Sequence, residues 1–153
     1  MGVTARDIME KEFVTVRPDT PILEAVKVFG EASRKLERRV FGMMVTDAAG
    51  RLIGMISMYD ILLMMRPKHI HIWGEMSDID ITGFLEEARR HARSILVGDV
   101  MSTEVVSVTP DTHLLLIVDI MVRKHVRRIP VVEGGKVLGL VHISDLFYYC
   151  MQP

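Results

Sequence analysis

Two stretches of this chain repeat one another, and an internal duplication constrains a fold more tightly than composition does. Residues 7–20 read DIMEKEFVTVRPDT and residues 99–112 read DVMSTEVVSVTPDT. An Asp-x-Met opening, a Val-hydroxyl-Val triplet and Pro-Asp-Thr recur in order, with Asp7 and Asp99, like Pro18 and Pro110, 92 positions apart. Farther on, GRLIGMISMYDIL at 50–62 matches GKVLGLVHISDLF at 135–147 at an offset of 85. The first copy therefore holds seven more residues between its two blocks (92 less 85), expected to lengthen the helix around Glu31 to Arg39 and, by one residue, the DAAG turn.

Each copy reads as strand, helix, strand, hairpin, strand, helix. The Pro-Asp-Thr group marks a helix start, where Thr20 or Asp19, and Thr112 or Asp111, are expected to cap the free N–H groups of the first turn and Pro21 to open the helix. After Thr112 the helix is unusually apolar, LLLIVDIMV, and is expected to be buried on most sides. RIPVV and KVLGLVH read as strands joined by EGG, whose glycines allow a tight turn, and a helix begins at ISDLFYY. FGMMVT and RLIGMIS are the matching strands of the first copy. A single copy would leave much of this apolar surface wet, so the two are expected to pack around a pseudo-twofold axis. The residues from Arg66 to Ile95 have no counterpart; they are expected to carry a helix from about Asp80 to Ser94, with Phe84, Leu85, Ala88 and Ala92 on its apolar edge and Glu86, Glu87, Arg89, Arg90 and Arg93 in water.

Composition matters for what it excludes. With 153 residues, 49% hydrophobic and 25% charged, the chain can bury a core and is not disordered. Its net charge of −1 supplies no overall field to gather nucleic acid or an anionic membrane, so any anion site is local. The single cysteine, Cys150, cannot form an internal disulfide and suits a reducing compartment. MGVTARDIMEKE lacks the apolar run of a secretory signal and has Arg6 where myristoylation needs a hydroxyl. Runs such as ILLMM and LLLIV are too short to span a bilayer. The reading is a soluble, cytoplasmic protein.

The repeated pattern resembles the cystathionine-beta-synthase (CBS) domain, and the pair resembles a Bateman module. The carriers are DIM and DVM, VTVRPDT and VSVTPDT, RRIPVV, and the glycine-to-aspartate blocks GMISMYD and GLVHISD. Three of these motifs stand in one order in both copies and RRIPVV joins them in the second, which together is specific. The resemblance implies an α/β (α+β) fold of two beta-alpha-beta-beta-alpha repeats, 1–65 and 96–153 around an insert at 66–95, with two related clefts between the paired sheets. Family members commonly bind AMP, ADP, ATP or S-adenosylmethionine there. The family's ribose-binding aspartate maps to Asp60 and Asp145. Its phosphate-side hydroxyl maps to Ser57 and, in a departure, to His142; Ser144 matches a further hydroxyl position, occupied in the first copy by Tyr59. The phosphate-reaching basic pair maps to Arg127 and Arg128, whereas Arg128 aligns near Gly42 in the first copy, with Arg38 and Arg39 upstream. An adenine ring would be read by backbone around Val16 and Val108.

Elementary chemistry agrees with these assignments: a carboxylate accepts two bonds from a cis-diol, a helix start offers N–H groups to phosphate, and arginine adds charge-assisted bonds. In place of a hydroxyl, His142 donates only in a suitable tautomer or when protonated. The second-copy cleft is favoured. Plainer roles exist for the same residues. Asp60 and Asp145 can serve as helix caps, Arg127 and Arg128 as a solvated strand end, and His125 as an exposed helix-end residue. His69 and His71, with His91, have the alternation of a metal site but no fixed fourth partner, so packing is the preferred reading. Trp73 is expected to anchor the insert on the core or at a dimer interface. No nucleophile with a base, and no phosphate-cradling glycine loop, stands in the sequence, so catalysis is not expected. The expected partners are an adenosyl ligand, a second copy in a homodimer contacting through the helices after Ser57 and His142, and an effector protein; the competing reading is an interaction module whose dimerisation is the function.

Overall fold

The computed structural model describes residues 2–66 and 81–153. His69, His71, Trp73 and the expected helix start at Asp80 lie outside the described residues. The first copy runs α1 (Ala5–Ile8), β1 (Thr15–Val16), α2 (Ile22–Lys35), β2 (Gly42–Thr46), β3 (Leu52–Ser57), α3 (Met58–Met65). Helix α4 (Ile81–Ser94) belongs to the insert, and the second copy follows as α5 (Val97–Val100), α6 (Leu114–Lys124), β4 (Arg128–Glu133), β5 (Lys136–His142), α7 (Ile143–Met151). The expected first strand shrinks to two residues in β1 and to a lone parallel pairing of Val108 with Val131 in the second copy.

Sheet order is β1-β2-β3, with β1 parallel to β2 and Val16 opposite Val45. The β4-β5 hairpin is antiparallel with an irregularity between Val131 and Val132, and its turn uses Gly134 and Gly135 at φ of 60° and 83°. A residue with a Cβ is strained in that left-handed region, which is why EGG makes a turn here.

The chain divides into two compact units that interleave the sequence copies. One comprises Met1–Val14, Thr46–Ile53 and Glu104–Pro153; the other, Thr15–Val45 and Gly54–Thr103. In the first of these, Ala5 and Ile8 share a core with Val108, Ile117, Met121, Ile129, Val131, Val141 and Leu146. Thus α1, which opens the first copy, is packed among elements of the second. Backbone bonds hold it there: Ala5 N–H donates to the Thr112 carbonyl (2.9 Å), and Glu10 and Leu140 exchange bonds of 2.8 and 3.0 Å. In the other unit the relation is mirrored. Val97 is fully buried, as are Ile22 and Ile56, and Phe29 and Met44 nearly so; Val97 N–H donates to the Thr20 carbonyl (2.8 Å), and Met55 and Ser102 exchange bonds of 2.9 and 2.8 Å. The recurrent Asp-x-Met and Gly motifs meet at these seams. A Cβ on Gly139 would stand 2.8 Å from Met9 Sδ and 2.9 Å from the Glu10 carbonyl, and one on Gly54 would stand 2.7 Å from Met101 Sδ and 2.8 Å from the Ser102 carbonyl.

Three expectations are corrected. The Pro-Asp-Thr residues do not cap: the N-caps are Pro21 and His113, the latter accepting at Nδ1 from Leu115 N–H. Thr112 instead closes the turn before the helix, its Oγ1 accepting from Thr109 N–H (3.0 Å), while Thr20 N–H donates to the Arg17 carbonyl. Helix α6 is not buried on most sides, since it buries Ile117 and Met121 but leaves Leu115 70% and Val122 66% exposed. Finally, the extra residues of the first copy are divided. Helix α2 has 14 residues against 11 in α6, and the link to the next strand grows from residues 125–127 to residues 36–41. Ser33 secures that longer link by accepting from Val40 N–H (3.0 Å).

Helix α4 follows its expected amphipathicity, with Ala92 buried, Phe84, Leu85 and Ala88 half-buried, and Glu86, Glu87, Arg89, Arg90 and Arg93 exposed. Among the described residues, no helix is long and apolar enough to cross a membrane.

Candidate functional sites

Strand β4 organises the second-copy residues. Val108 lies along one edge of it, donating its N–H to the Pro130 carbonyl (3.0 Å) and accepting from Val132 N–H (2.8 Å). Both main-chain groups of Val108 are thereby used. A ring lying at this edge meets its side chain and the backbone on either side, because neighbouring strand residues direct their amides the opposite way. On the other edge of β4, Arg128 stands opposite His142 at the end of β5. Opposed residues of an antiparallel pair share a face, with Cβ atoms roughly 4.5–5.5 Å apart. One residue earlier, the Arg127 carbonyl accepts from Ile143 N–H (2.9 Å), which ties the start of α7 to the start of β4. Arg127, Arg128, His142, Ser144 and Asp145 are in this way brought to one corner, with Arg127 and Ser144 exposed and the other three half-buried.

Two guanidiniums and the Asp145 carboxylate share that corner. Burial, then repulsion from Arg127, holds the Arg128 guanidinium below its usual pKa, and its Nε is shut off from solvent without a hydrogen-bond partner. A buried donor left unmade is costly, so a site of this kind favours an acceptor brought by a ligand. His142 occupies the N-cap position of α7 in extended conformation and its side chain makes no capping bond.

In the other unit the equivalent corner has its helix start satisfied by its own side chains. Met58 N–H donates to the Phe41 carbonyl (2.9 Å), the same bond that joins Ile143 to Arg127, so Phe41 stands for Arg127 and Gly42 for Arg128. The pairings of Val16 with Val45 and of Val108 with Val131 give the same register. Ser57 caps α3 reciprocally. Its N–H and Oγ–H both donate to Asp60 Oδ2 at 2.9 Å, and Asp60 N–H donates to Ser57 Oγ at 3.2 Å. Val16 is buried, Asp60 half-buried, and Tyr59, at the position of Ser144, is 72% exposed.

Other candidates stand apart from these corners. Arg123 is paired with Asp119 at 2.8 Å, and His125 is an exposed left-handed residue ending α6. On α4, His91 lines a groove of about 310 Å³ with Met64, Met65, Arg66, Phe84, Glu87 and Ala88. Among the described residues, no group of three His, Cys, Asp or Glu is placed to hold a metal ion. Sequence reasoning missed Phe41, whose backbone makes the same bond as Arg127; the strand register carried that signal.

Comparison with known proteins converges on one family. An uncharacterized protein of Methanocaldococcus jannaschii is 28% identical, over 92% of this chain and 87% of its own length. The chloroplastic CBSX1 of Arabidopsis thaliana is 26% identical over 92% of this chain, which spans 63% of that relative's length. The solved CBS-pair protein CBSX2 from Arabidopsis thaliana superposes with a TM-score of 0.75 at 24% identity, covering 99% of this chain and 96% of CBSX2. Its complex with AMP gives 0.71 at 25% identity, covering 99% and 98%. The CBS domain model matches residues 5–67 and 97–152, which are the two copies found by self-comparison. With both copies matched and the same fold in its structural neighbours, this chain belongs to the CBS domain family.

Proposed function

We propose that this chain is a regulatory module that binds an adenosyl ligand, of the AMP, ADP, ATP or S-adenosylmethionine class, and passes its bound state to an effector protein. The observation that carries the reading is the corner at the start of β4, where Arg127, Arg128, His142, Ser144 and Asp145 converge, with Val108 paired along the other edge of the same strand. Phosphate oxygens are the acceptors that Arg127 and Arg128 call for. Asp145 accepts from the ribose hydroxyls, Ser144 and His142 donate to the phosphate side, and Val108 packs against the base. In the other unit Val16 takes the base side and Asp60 the ribose side, with Ser57 at the position of His142. That CBSX2 has been solved with AMP supports the ligand class.

Calorimetry against AMP, ADP, ATP and S-adenosylmethionine tests the reading. At least one is expected to bind in the micromolar range, equivalent to about −8 kcal/mol, and Asp145→Ala is expected to weaken it at least tenfold; absence of heat and of thermal stabilisation with all four overturns it.

A second reading, dimerisation as the function in itself, is favoured by the exposed apolar residues of α3 and α7. Leu62 is 63%, Phe147 55% and Met151 68% exposed. On that reading Asp145→Ala changes no ligand affinity and affects folding stability only.

A further inference from the structure

The two corners differ in what they lack, and the difference is one of charge. At the β4 corner two arginines are adjacent, the Nε of Arg128 is buried without an acceptor, and the side chain at the N-cap of α7 makes no capping bond. That corner sets two guanidiniums against the single carboxylate of Asp145. At the β2 corner the same two positions hold Phe41 and Gly42, and the start of α3 already has a carboxylate, Asp60, bonded to its N-cap. Of the basic residues upstream, Arg38 has an interaction elsewhere, although its Nη1 is buried without a hydrogen-bond partner, and it lies with Arg39 in the link, three to four positions before Gly42 and outside the register that Arg128 occupies. Each corner has a carboxylate in the first turn of its helix, Asp145 in α7 and Asp60 in α3, but only the β4 corner has arginines in register to offset it, so a phosphate at the β2 corner meets a carboxylate that nothing in register neutralises. The rest of an adenosyl ligand is still accommodated. Both Ser57 bonds land on Asp60 Oδ2, which leaves Oδ1 to accept from a ribose hydroxyl, and Phe41 (50% exposed) and Tyr59 offer aromatic faces to an uncharged or cationic tail.

We infer that the two sites sort adenosyl ligands by charge: the corner of Arg127, Arg128 and His142 takes the phosphorylated form, and the corner of Phe41, Ser57 and Asp60 takes an adenosyl compound without phosphate. This rests on the adenosyl reading above and assigns a separate ligand class to each of its sites. The chain then responds to two members of one ligand family at once, not to two molecules of the same nucleotide.

Calorimetry with ATP and adenosine on the full chain tests the inference. Wild-type protein is expected to bind one equivalent of ATP, more weakly as salt rises, and the ATP-saturated protein to take up one further equivalent of adenosine. Arg128→Met and, as an exposed and therefore structurally milder change, Arg127→Met are each expected to weaken ATP at least tenfold. Inorganic pyrophosphate is expected to raise the melting temperature of the wild type and not that of either variant. Two equivalents of ATP per chain, or wild-type ATP affinity in both variants, or no uptake of adenosine by the ATP-saturated protein, overturns charge sorting while leaving the adenosyl reading intact. Failure of the unliganded protein to bind adenosine and all of AMP, ADP, ATP and S-adenosylmethionine overturns both.

Discussion

At the start of α3, Ser57 and Asp60 satisfy one another, whereas at the start of α7 His142 contributes no capping bond. Ser57→Ala is therefore expected to cost about 1 kcal/mol of folding stability, the worth of an ordinary N-cap, read from urea denaturation. His142→Ser is expected to gain stability by restoring a capping hydroxyl, which the same measurement checks. Arg128 is the opposite case. It carries a desolvated donor that nothing in the fold satisfies, so Arg128→Met is expected to raise the melting temperature of the unliganded protein even as it removes the anion site. A lower melting temperature would show that the guanidinium holds the fold together instead. The identities at these positions were legible in the sequence, because the offset of 85 puts His142 against Ser57 and alignment of the strands puts Arg128 near Gly42. The burial of Arg128 Nε was not, since it depends on neighbours that only the folded sheet and α7 bring around it.

Among the elements, the short helices α1 and α5 explain why Asp-x-Met and the later glycine recur together. Each methionine fills the space that the glycine leaves open, and a two-bond ladder fixes the approach. Gly139→Ala is expected to destabilise the protein by roughly 1–3 kcal/mol, as overpacking of a closed site does. Adding Met9→Ala is expected to rescue it only in part, because the Glu10 carbonyl would still be 2.9 Å from the new methyl; denaturation of both variants checks this. The order of helices and strands could be read from periodicity and turn residues. The exchange of α1 and α5 between copies could not, because sequence similarity reports which segments are equivalent and not which are adjacent. For the same reason the caps were misassigned: Thr112 has the right chemistry, yet the turn from Thr109 uses it first. The apolar run of α6 likewise states that Leu115 and Val122 avoid water without stating what covers them.

For the molecule as a whole, the exposed apolar residues of α3 and α7 are expected to be covered by a second copy. Sedimentation at micromolar concentration is expected to give a dimer, and Leu62→Glu with Phe147→Glu a monomer that keeps its helical content. The exchanged opening segments set a second expectation. A fragment of residues 96–153 lacks Ala5 and Ile8 from its core and lacks the Glu10 ladder to Leu140, so it is expected to stay largely unfolded by circular dichroism until a peptide of residues 2–14 is added. A cooperative fold without the peptide would refute this. The seam between α1 and β5 also bears on descent. Made by chains that each carried one copy, the same exchange is bimolecular, and such chains would hold their shape only above the concentration at which they trade segments. Duplication and fusion turn the trade into an event within one chain, whose stability no longer depends on how much of the protein is present.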